Sequence, residues 1–268
     1  MKKIVLLIIV SILIISCNKN DDSNNSAVTP TNYGVDFRFT QNWDGQEINN
    51  SDYENTTYVN ANGESLTLSK LNYLISDVTY TSSADGAIWR AQDYKLVLGR
   101  DGDVNFTPAI EIPEGTYTVS FTFGFDDFDN DKQGGFPDLN SADGFWNVPA
   151  PLGGGYHYQR IEGKYINSAS DQTNFQFHTI RANRHETLPP GPGTLVELRD
   201  TSFRINLGNI TAGTNTTIEV KANIAEWFKN PVTWNLNNRF QVLMPNFQAQ
   251  LDMNLNGQNV FELGAVTQ

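Results

Sequence analysis

The feature that most constrains this chain is a period-two alternation of apolar and polar residues that recurs from Val35 to Leu263. Successive side chains of a strand point to opposite faces, so each such run buries one face and wets the other. Val35-Asp36-Phe37-Arg38-Phe39 opens the series. Residues 65–80 carry Leu66, Leu68, Leu71, Tyr73, Leu74, Ile75 and Val78 and read as a strand reached through a short turn. Residues 94–98 form another strand, and residues 110–125 pass through a Pro113-Glu114-Gly115 turn into Tyr117, Val119, Phe121 and Phe123. Residues 156–165, 175–180, 196–207 and 216–222 continue the pattern, with weaker runs at 240–244 and 259–263. Only residues 224–229 read as helical, for about one turn, because Pro231 stops them. Many strands with turn signals between them predict an all-β fold, an antiparallel, Greek-key-like β-sandwich. A body of roughly 230 residues fits one such domain, with boundaries at 35–268.

The N-terminus predicts an address. Lys2 and Lys3 precede an apolar run from Ile4 to Ile15, too short to span a bilayer as a mature helix and laid out like a secretory signal over residues 1–16. It ends in Ile14-Ile15-Ser16-Cys17, which resembles a bacterial lipobox with Cys17 as the lipidated residue. Residues 17–34 then form the lipidated cysteine and a polar, disordered tether with little to bury. Lys19 with Asp21-Asp22 resembles the export signal of surface lipoproteins in the Bacteroidetes; a plain solvated tether is the other reading. The expected location is the outer membrane, on its periplasmic or its outer face, with the membrane as a partner through the lipid. Cys17 is the sole cysteine, so neither an intrachain disulfide nor a Cys-rich metal site exists. The net charge of −12 becomes −14 when Lys2 and Lys3 leave, and no basic stripe offsets it, which excludes a nucleic-acid partner.

Chemistry concentrates between Phe121 and Gly163. A strand ends there in an acidic loop that leads to Trp146, a glycine run and Tyr156-His157. The order of signals across the body resembles the MbnP-like domain, found with methanobactin systems and among Bacteroidetes lipoproteins. The segment from Ser69 to Val78 looks like the family's L-x-Y-x-I-S-N-V strand, and Ile112-Pro113-Glu114-Gly115-Thr116-Tyr117 like its vPaGtY turn. Phe121-Thr122-Phe123-Gly124-Phe125-Asp126 is similar to its F-x-x-G-v-D strand end. Trp146, Gly155-Tyr156 and Glu162-Gly163 are similar to its M-x-W…G-Y…x-E-G segment, and Phe175-Gln176-Phe177-His178 to its F-x-F-H.

The resemblance implies a secreted, non-enzymatic β-sandwich with a copper site of histidines beside a tryptophan oxidised to kynurenine, the oxidation being carried out by a di-haem peroxidase-like partner. The chain departs from that pattern at two places. Thr40-Gln41-Asn42-Trp43 holds no histidine near the end of the first strand, and Val148 stands where the W-x-W segment has its second tryptophan.

Among the three histidines, His157 and His178 are the copper candidates. Two convergent imidazoles with a third donor hold Cu(I). Strict alternation puts both on the more polar face of their strands, where they converge or are simply solvated. His185, between Arg184 and Glu186, is the weaker candidate. Calcium is the alternative cation: Asp127, Asp129 and Asp131 have D-x-D-x-D spacing, with Asp138 at the twelfth position. Lys132 stands where an EF-hand needs glycine, so the loop is either a looser site or a solvated hairpin tip. Trp146 is a modified site residue, a platform for a sugar, or a plug closing one end of the sandwich; Trp43, Trp89, Trp227 and Trp234 are expected in the core or at its rim. No nucleophile elbow, P-loop or dinucleotide fingerprint occurs. The competing function is a surface adhesion or ligand-binding module without copper.

Overall fold

The computed structural model describes residues 31–141 and 145–268. The leader, Cys17 and the tether up to Pro30 lie outside the described residues. Thr31–Gln268 is one compact unit. Its longer strands are β1 (Asp36–Trp43), β2 (Ser65–Ser82), β3 (Tyr94–Leu98), β4 (Gly115–Phe123), β5 (Gln159–Ile166), β6 (Gln172–Thr179), β7 (Ala182–His185), β8 (Leu195–Arg199), β9 (Phe203–Ala212), β10 (Thr217–Asn223) and β11 (Phe261–Thr267). Helices α1 (Asp127–Asn130), α2 (Pro137–Ser141) and α3 (Phe247–Gly257) complete the set, with 3-10 turns between.

Two sheets carry the fold. The larger has eight strands along the path β6-β5-β2-β4-β9, with β3 and two short strands also paired to β2. The smaller has five, running β11-β10-β1 with two short strands also paired to β1. Phe37 and Phe39 of the smaller sheet meet Tyr80, Tyr73 and Phe121 of the larger, and Phe261 fills the space beside Tyr73 and Phe121. These rings are almost fully buried and make an aromatic-rich sandwich core. The expected all-β sandwich class holds. One pairing departs from it: β10 runs parallel to β1.

β2 organises the site. It is one unbroken strand of 18 residues, not a strand reached through a turn. Its length lets β5 and β4 follow each other along it, β5 against residues 66–73 and β4 against residues 75–82. Leu74 lies at the junction, taking Gly124 N–H on its carbonyl and giving its own N–H to Tyr158. The chain between the two strands, residues 124–158, must therefore leave and return at one point, and that excursion is the acidic, Trp- and Gly-bearing segment.

Two other expectations are corrected. Residues 196–207 divide into β8 and β9, because β8 pairs with β7 in a separate ribbon while β9 joins β4. The run at 240–244 is not a strand, and α3 is a helix that periodicity does not announce. Its buried face is largely polar, with Gln250, Asp252 and Asn256 beside Ala249 and Met253, so no apolar stripe marks it.

Candidate metal centre

The site forms where the excursion returns to the sheet. Residues 146–148 lie antiparallel to residues 155–157: Val148 N–H bonds Gly155 O at 2.9 Å, and His157 N–H bonds Trp146 O at 3.0 Å. This folds Trp146 against His157, with ring centroids 5.8 Å apart. Asn130, at the end of α1, ties the segment down. Its amide nitrogen donates to Phe125 O and Tyr158 Oη, and its amide oxygen accepts Tyr156 N–H. Trp146 itself is wholly buried, as its size favours.

β6 brings the second histidine. Arg160 pairs with His178 across β5 and β6. A bend at Tyr158 interrupts the strand just before Gln159 and turns His157 towards the same place. The two imidazoles stand edge to face, 5.5 Å between centroids. His157 is 3% exposed, not solvated, with the Trp146 carbonyl and Met244 against its ring nitrogens.

The surroundings of the two rings differ. Trp146 O can only accept, and its 3.0 Å contact with His157 Nδ1 suits a proton there, whereas the Arg160 guanidinium can only donate and suits a lone pair on the same nitrogen. Nε2 faces Met244 Sδ at 3.2 Å. Arg160 also approaches His157 Nδ1, at 3.2 Å, while its Nη2 donates to Phe145 O and its guanidinium lies 4.7 Å from the centre of the Trp146 ring. Burial first, and the Arg160 charge second, push His157 down to about 3, so the ring is a neutral donor at any physiological pH. His178 Nε2 bonds Glu162 Oε1 at 3.0 Å, and that bond holds the Glu162 carboxyl below its usual range. A carboxylate taking one imidazole N–H leaves the other nitrogen as the donor, the arrangement that commonly orients histidine ligands.

The other candidates lie elsewhere. His185 spends its ring nitrogens on Thr194 Oγ1 and Asn183 Oδ1. The acidic stretch is one helical turn capped by Asp126, not a hairpin tip. Asp127 and Asp131 both accept from the guanidinium of Arg181, at 3.2 and 2.8 Å, while Asp129 is held apart from that pair and burial pushes its carboxyl up to about 6. Among the described residues no three His, Cys, Asp or Glu side chains converge on one point. Periodicity missed Met244 and Gln250, whose only sequence signals are that the chain has three methionines and that Met244 ends a weak alternating run.

The sequence model of the MbnP family matches residues 32–245, which span both histidines, Trp146 and Met244. The chain belongs to the MbnP family. MbnP from Methylosinus trichosporium is similar in fold, with a TM-score of 0.52 at 14% identity, covering 88% of this chain and 99% of that one. No curated protein matches this MbnP-family sequence.

Proposed function

We propose that this chain is a non-enzymatic copper-binding protein anchored outside the inner membrane by a lipid on Cys17, with His157 and His178 as copper ligands beside Trp146. The observation that carries the reading is the pair of imidazoles 5.5 Å apart at a buried point next to that tryptophan. The donors fit the metal. Two imidazoles suit the metal, the single cysteine is assigned to the lipid and leaves no thiolate cluster to favour zinc, and Glu162 orients His178 from behind. Bound copper would supply tight, soft-cation storage or transfer, and the protein's part is to hold two imidazoles together beside Trp146. Family membership supports the same reading, and with it a di-haem peroxidase-like partner acting on Trp146.

Anaerobic Cu(I) titration followed by native mass spectrometry tests this. One copper per chain is expected, with loss of stoichiometric uptake in His157→Ala and in His178→Ala; no uptake by the unaltered protein at micromolar copper rejects it. An intact-mass gain on Trp146 after co-expression with the partner tests the oxidation separately.

A ligand-binding module without copper is the second reading. An open polar cleft of about 500 Å³ on the smaller sheet favours it, lined by Arg38, Glu47, Glu219, Lys221, Glu226 and Glu262 among others and sharing no residue with the histidine site. Saturable binding of a small polar solute, unaffected by His178→Ala, would support that reading.

A further inference from the structure

We infer that Met244 is a third copper donor and that it makes the site selective for a soft monovalent cation, an inference that rests on the copper reading of His157 and His178.

Met244 brings a thioether sulfur to the first histidine. A thioether sulfur offers only lone pairs and is a weak hydrogen-bond acceptor for His157 Nε2. The two atoms face each other at 3.2 Å in a largely buried place. On the tautomer that leaves Nε2 unprotonated, both atoms present lone pairs to a cation. Metal–nitrogen and metal–sulfur bonds of about 2.0 and 2.3 Å fit a pair at this separation. Thioether sulfur is a soft ligand that selects Cu(I).

The placement of Met244 is built in. Its carbonyl accepts from Asn183 Nδ2 at 2.9 Å, and Asn183 is fully buried. Gln250, 1% exposed on α3, donates to Leu243 O and to His178 O and accepts the N–H of Ile180. One glutamine thus fixes the backbone beside Met244 and the backbone of His178 in a common frame. The Met244 side chain packs on Val148, Leu152 and Ile180. The missing third donor among His, Cys, Asp and Glu is what a thioether would supply.

The test compares the full chain with Met244→Leu, a swap of similar volume, both carrying Cys17→Ser so that no thiol competes. Cu(I) affinity is read against a chromophoric competitor without oxygen, with Zn(II) as a harder probe. The expected result is one Cu(I) per unaltered chain, a loss of about 10-fold or more in Cu(I) affinity in Met244→Leu, and little change for Zn(II). Selenomethionine protein gives a second readout that does not depend on the variant folding: a copper–selenium path in X-ray absorption. Equal Cu(I) affinity in both chains and no copper–selenium path overturn the role of Met244 while leaving His157 and His178 as ligands. No Cu(I) uptake by the unaltered chain overturns both.

Discussion

At the scale of single residues, several motif positions have plain physical causes. Gly163 is needed because a Cβ there would sit 1.9 Å from Thr67 O and 2.9 Å from the Phe175 ring, at a bulge between β5 and β2. Gly163→Ala should therefore cost about 3 kcal/mol, since backbone cannot move aside cheaply, and chemical denaturation checks it. Gly124, at φ +80°, sits under the Tyr158 ring, where a Cβ would come within 2.4 Å. Asp77 has φ +52° within β2, and burial, with Asp126 next in effect and Asp93 adding, raises its carboxyl despite Arg90 and Arg204. The folded state then holds that proton to higher pH than the unfolded chain, so Asp77 works against folding as pH climbs above about 4. Asp77→Asn, which tolerates the left-handed backbone, should melt higher than the unaltered protein at pH 7. The difference should vanish below pH 4, as calorimetry at both pH values will show. None of these roles is visible in the letters: Gly163 reads as a motif, and its reason is the carbonyl of a residue 96 positions earlier.

At the scale of elements, α1 shows how a chemically suggestive motif can be structural. Arg181 is 3% exposed, while its partners Asp127 and Asp131 are mostly in water. Removing the carboxylates leaves a buried cation with only Gly153 O from its present set, whereas removing the arginine lets two surface carboxylates hydrate. Urea unfolding should show that asymmetry: Asp127→Ala with Asp131→Ala costs about 3 kcal/mol, and Arg181→Met about 1 kcal/mol. Millimolar calcium should leave the melting temperature unchanged in the unaltered protein and in Asp129→Asn, because two of the three spaced carboxylates already face a guanidinium. A calcium-dependent rise that Asp129→Asn abolishes would restore the alternative cation. The sequence displayed the D-x-D-x-D spacing and could not display Arg181, which reaches it from 50 residues away. It also hid α3, whose polar buried face spends its side chains on backbone groups of β6 and of the Met244 segment.

For the whole molecule, the decisive contacts join chain ends. β1 lies beside β10 in parallel, and β11 closes the smaller sheet while Phe261 enters the core against Tyr73, Phe121 and Phe123. Gly257 and Met253 of α3 are likewise buried, Gly257 against Phe203 and Trp227. A chain ended after Pro245, the limit of the family match, should lose cooperative unfolding although it keeps every candidate ligand, since about 2–3 kcal/mol is lost with each buried apolar side chain of this size and the core opens at one end. Circular dichroism melts will show it. Alternation and composition by themselves determined an all-β sandwich, its acidic character and the histidines worth testing, because strand periodicity and charge are local properties of the letters. Only the tertiary structure decided that His157 is buried and neutral, that it meets His178, that Asp127 and Asp131 belong to Arg181, and that a methionine 87 residues away brings its sulfur to an imidazole nitrogen. Those facts depend on how distant strands register and which side chains bury together, and sequence spacing does not encode that.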